Sequence, residues 1–112
     1  MRMGPARIGR DYIPPEEVDS PKSGISEIEV LYDGGSSDPD EEFHWSAATF
    51  NWYGDKALGI RWNGYRGKEV GNPQSRGRPT WFIIPDELTE VIINEIKMKK
   101  GHWERRKIGE AL

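Results

Sequence analysis

The chain has 112 residues, 31% charged and 35% hydrophobic, with no cysteine, which excludes disulfides, thiol catalysis and cysteine metal sites. Its formal charge of −3 hides an asymmetry: residues 1–42 hold 4 Lys/Arg and 11 Asp/Glu, whereas residues 43–112 hold 12 and 8. The opening MRMGPARIGRDY lacks the apolar stretch of a secretory signal, and no apolar run reaches membrane-spanning length, so a cytoplasmic location is expected.

Residues 1–24 carry Pro5, Pro14, Pro15 and Pro21 and show no apolar period, which predicts a flexible, acidic, proline-rich arm. A β-β-β-β-α domain over 25–101 and a basic tail over 102–112 follow. In SEIEVLY, Ile28, Val30 and Tyr32 alternate with Glu27, Glu29 and Leu31, the period of a half-buried strand. Asp33-Gly34-Gly35 ends it, and SSDPDEE reads as an acidic loop.

A second strand is expected over Phe43–Tyr53, with rings on both faces, so that one face meets a partner. A turn at Gly54-Asp55 leads to a third strand over Ala57–Asn63, with Leu58, Ile60 and Trp62 on its core side. Residues 63–79 hold four glycines and two prolines and read as a long irregular loop, a kind that is often functional. Thr80–Ile84 is the fourth strand, stopped by Pro85.

Leu88, Val91, Ile92 and Ile96 then mark one face of a helix. Acids lie at its start, lysines lie at its end, and Gly101 sits where a C-terminal cap belongs. Ile93 and Met98 fall off that stripe and are expected to touch a second subunit. The class is therefore α+β, an antiparallel four-stranded sheet followed by one C-terminal amphipathic helix.

No catalytic set assembles from these residues. His44 and His102 form no metal spacing, Asp40, Glu41 and Glu42 read as a solvated loop, and neither a nucleophile elbow nor a phosphate-binding loop is present. No enzyme activity, cofactor or metal is expected. The chemistry concentrates instead in Arg61 to Trp81. There Arg61, Arg66, Lys68, Arg76 and Arg78 are opposed only by Glu69 and interleave with Trp62, Tyr65 and Trp81. Cations that grip phosphates beside rings that stack bases are the means of single-strand nucleic-acid binding.

The stretch ALGIRWNGYRGKEVGNPQSRGRPTWFIIPDELTEVIINEI, residues 57–96, resembles the single-stranded-DNA-binding domain of the transcriptional coactivator positive cofactor four and its small bacterial relatives. The resemblance lies in an Ile-Arg-aromatic strand end, a basic Gly/Pro-rich loop, a strand and a proline-plus-acid helix start. It implies a homodimer whose curved sheets bind unpaired strands, with Arg61, Lys68, Arg76 and Arg78 on phosphates. The phrases RWNG, GNPQSRG and PTWF also resemble segments of small uncharacterised bacterial proteins, some carried on mobile elements. The favoured expectation is a non-catalytic homodimer binding single-stranded nucleic acid through Arg61, Tyr65, Arg66, Lys68, Arg76, Arg78 and Trp81. The alternative is a protein-interaction or adaptor module whose ringed sheet face is the interface.

Overall fold

The computed structural model describes residues 12–35, 44–65 and 69–99. Its centre is an antiparallel sheet in the order β1 (Ile25–Asp33), β2 (Trp45–Trp52), β3 (Asp55–Trp62) and β6 (Phe82–Ile83). A two-residue ribbon of β4 (Gln74–Ser75) and β5 (Arg78–Pro79) lies between β3 and β6 in sequence. A 3-10 turn at Asp86–Leu88 then leads into the helix α1, residues 89–99. The expected α+β architecture, four antiparallel strands and a following helix, is the one observed.

The β2–β3 hairpin turns at Tyr53 and Gly54, whose φ values of 51° and 93° make the two-residue left-handed turn that suits twisted strands, one position earlier than expected. Its register sorts side chains onto two faces. Trp45, Ala47 and Thr49 stand opposite Trp62, Ile60 and Leu58, and Phe82 stands opposite Ile60. Ser46, Ala48 and Phe50, opposite Arg61, Gly59 and Ala57, occupy the other face.

The first face is covered by α1. Ala47, Leu58, Ile84 and Ile96 are its buried core, with Ile92 and Ile93 packed against them. The helix is rotated from the stripe read in the sequence: Leu88 and Val91 are exposed, and Ile93 belongs to the core rather than to a subunit contact. The 3-10 turn shifts the helix phase by replacing the first α turn, so Leu88 lies ahead of α1 instead of on its buried side.

The second face is covered by residues 12–24, part of the segment whose composition predicts a flexible arm. Val18, Pro14 and Pro15 are fully buried there, and Val18 joins Ile25, Ala48, Phe50 and Trp81 in one cluster. The segment is a strap tied at several points. The Trp81 indole donates to the Val18 carbonyl at 2.7 Å, Thr80 Oγ1 to Ser20 O at 2.8 Å, and Tyr12 Oη to the Asp33 carboxylate at 2.9 Å. A proline-rich extended strap has no helical or strand period to reveal it, because its fixed φ angles let it lie across the sheet. Residues 1–11 and the basic tail lie outside the described residues. The rings on both faces of β2 thus answer to an internal cover on each side.

Two further differences follow from local geometry. In β1 the register slips between Ser26 and Glu29 and again between Val30 and Tyr32. The second bulge turns Tyr32 to the α1 side with Leu31, while Ile28 packs on the strap side, so strict alternation fails. The fourth strand is two residues long, since Thr80 and Trp81 are drawn away to the strap. Gly59 fits this arrangement: a Cβ there would stand 2.7 Å from the Phe50 ring and 2.9 Å from Trp81 Cβ.

Candidate binding groove

The segment Arg61-Trp62-Asn63-Gly64 works as a lock. Arg61 and Asn63 point to the strap side of the sheet and are 3% and 0% exposed. The Arg61 guanidinium donates to the carbonyls of Thr80 at 2.5 Å and, more weakly, Pro73 at 3.5 Å, and its other terminal nitrogen donates to Val70. Three carbonyls from one loop therefore close on a single planar fork. No described carboxylate pairs with it, and burial pushes the guanidinium below its ordinary pKa, to about 10. It stays a cation at neutral pH.

Asn63 Nδ2 donates to Gly35 O at 2.6 Å, and His44 Nδ1 bonds Gly34 O, so the same corner also holds the end of β1. The loop returns beside the strand through paired backbone bonds of Trp62 and Asn72, at 2.7 and 3.1 Å. Gly64 and Gly71 permit the close approach. Both have positive φ, and a Cβ on Gly71 would stand 2.1 Å from Trp62 O.

This corner is locally expensive. Ser46 Oγ, Arg61 Nε and Asn63 Oδ1 are buried without hydrogen-bond partners among the described residues. Each such atom costs on the order of 1–3 kcal/mol. What the lock achieves is position. Trp62, between two inward polar residues, is turned out on the α1 face and is 48% exposed.

There Trp62 forms a groove with Trp45, Ile60 and Phe82 from the sheet and Ile92 and Glu95 from α1, about 540 Å³ in volume. Phe82, on the edge strand, is 57% exposed. Trp45 is braced from behind by Tyr32, their ring centroids 4.8 Å apart. The groove exists because one helix cannot cover the face. A helix is roughly 10 Å wide, whereas four strands span about 19 Å.

The residues expected to bind nucleic acid do not gather on one surface. Arg61 is buried in the lock, and Trp81 is 4% exposed beneath the strap, so neither reaches a phosphate or a base. Tyr65 is half-buried, its backbone paired with that of Glu69. Arg66 and Lys68 lie outside the described residues. Arg76 and Arg78 are exposed on the β4–β5 ribbon, and Arg78 borders a second cleft beside Glu17 and Asp19 of the strap.

Trp62, which the strand period assigns to the core, and Phe82, to which the sequence pattern assigns no role, are the exposed rings of the groove. The available signal was the arithmetic of cover: four strands followed by one helix leave apolar positions at one end of the face. Among the described residues no group of three or more His, Cys, Asp or Glu could hold a metal ion, and no helix is long and apolar enough to cross a membrane. Comparison with family models, with curated proteins and with solved structures finds no match.

Proposed function

We propose that the protein is a non-catalytic interaction module that binds a segment of a partner protein in the groove between Trp62, Phe82 and α1. The observation that carries this reading is the exposure of Trp62 and Phe82 on a face that is otherwise closed. Large rings at an open apolar groove are the residues on which protein interfaces concentrate their energy. The groove volume of about 540 Å³ suits a few side chains of an extended or helical segment. The buried Arg61 lock supports the same reading, since it holds Trp62 in place before any partner arrives.

Burial of Arg61 and Trp81 weighs against a polyanion as the ligand, because phosphate and base contacts need exposed cations and rings. Peptide display tests the reading, with counter-selection on a Trp62→Ala, Phe82→Ala variant. Enrichment of sequences that bind the parent and not the variant is the expected result. Three outcomes overturn it: no enrichment, oligonucleotide binding that depends on Arg76 and Arg78, or a parent dimer in light scattering that becomes monomeric in the variant.

A further inference from the structure

We propose that the groove takes an arginine side chain of the partner, its guanidinium lying against Trp62 and Phe82 and reaching the Glu95 carboxylate. The inference rests on the protein-binding reading and adds the chemistry of the residue bound.

Among the described residues Glu95, on α1, is the one carboxylate that lines the groove. Glu95 is half exposed, so an occupant displaces water from its carboxylate by lying over it. An apolar occupant there would strip that water and leave the carboxylate only its weak surface pair with Lys99. A cation converts the same desolvation into a charge-assisted hydrogen bond and gains from the ring faces as well. Arginine suits the site better than lysine because a planar guanidinium stacks on an aromatic face while its edge meets a carboxylate in bidentate fashion. Asn72 adds an amide at the same rim.

The charges around the groove agree. Glu95 has one described ion pair, with Lys99 at 3.6 Å, a surface pair one helical turn away. Lys99 also lies over the Tyr32 ring, 5.9 Å from its centroid, on the β1 side of the helix. Such pairs are weak and easily exchanged. Arg61 is among the lining residues, but its guanidinium is committed to loop carbonyls, and strand alternation puts its side chain on the opposite face from Trp62. Arg76 and Arg78 do not line the groove. Along the helix and the turn before it, Asp86, Glu87 and Glu90 precede Glu95, and Lys97 and Lys99 follow it.

The test is an NMR titration of the full chain with capped arginine (N-acetyl-arginine methylamide), reading the Trp62 indole and Phe82 ring signals. Capped citrulline, the neutral isostere, and capped lysine serve as comparisons. Saturable shifts of both rings are expected with capped arginine. Citrulline should bind about 10-fold more weakly, and lysine should fall between the two. In Glu95→Gln, with an unchanged melting temperature as the folding control, arginine should lose most of that advantage over citrulline. Equal binding of arginine and citrulline, retention of the preference in Glu95→Gln, or no shift at Trp62 overturns the proposal. Display-selected peptides that need Trp62 but contain no required arginine would overturn this inference and leave the protein-binding reading standing. Absence of any selected peptide would overturn the reading itself.

Discussion

The indole nitrogen of Trp81 donates to the carbonyl of Val18 at 2.7 Å, joining positions 63 residues apart, and both side chains sit in the same buried cluster. That bond closes the strap over one face of the sheet. It also explains why a tryptophan beside a basic loop is not available to a ligand.

Cutting the chain after residue 24 is therefore expected to lower its stability by about 3 kcal/mol or more, through loss of Val18 and the two buried prolines. Val18→Ala alone should cost roughly 2 kcal/mol. Urea denaturation of the truncated and substituted chains checks both values, and an unchanged midpoint after truncation would contradict the packing of the strap.

Arg61→Lys should destabilise by about 2 kcal/mol, because an ammonium cannot satisfy the Thr80, Val70 and Pro73 carbonyls together. The parent also has a pH signature. The folded-state pKa of Arg61, about 10, lies below that of the unfolded chain. Above pH about 10 the unfolded state thus binds more protons at this group, and its contribution to stability rises with pH. That contribution is lost as pH falls through about 10 and is flat at neutral pH. Comparing the alkaline stability slope of the parent with that of Arg61→Met isolates it.

Two glycines with the same sign of φ should behave differently. Gly71→Ala places a Cβ 2.1 Å from Trp62 O and 2.4 Å from an Arg61 nitrogen, so the lock must open. A loss of roughly 3 kcal/mol or more is expected. Gly77, at φ +79° on the β4–β5 turn, has nothing within 4 Å of its would-be Cβ. Gly77→Ala should cost only about 1 kcal/mol, the backbone term alone. Thermal melts of the pair separate close approach from conformational preference.

Trp62→Ala and Phe82→Ala should each change stability by less than about 1 kcal/mol, since both rings are about half exposed. A loss as large as that of Val18→Ala would mean that these rings are core elements and not part of an open groove.

Much of the architecture was legible in the residues. The alternation in β2 and β3, the proline-to-acid start at Pro85-Asp86 and the spacing of Ile92 and Ile96 led to a sheet followed by one helix. The strap was not, because an extended proline-rich segment that packs without pairing has no period. Arg61 and Trp81 depart from expectation for a related reason. Residue type says what a side chain can bind, but only long-range contacts decide whether it is already used: Arg61 by Val70, Pro73 and Thr80, Trp81 by Val18. Trp62 shares the strand period of Leu58 and Ile60 and differs only in lying where the helix no longer covers the sheet.

Trp62 and Phe82 are proposed to form a protein-binding groove. The most direct test is a pair of titrations on one sample of the full chain, following the Trp62 indole resonance. One uses a display-selected peptide and the other a single-stranded oligonucleotide at low salt. The account predicts that the peptide shifts the indole saturably, that Trp62→Ala with Phe82→Ala weakens peptide binding by at least ~30-fold, about 2 kcal/mol, and that the oligonucleotide leaves the indole unmoved. Peptide binding that survives the double substitution, or an oligonucleotide that shifts the indole and is released by salt, would contradict it.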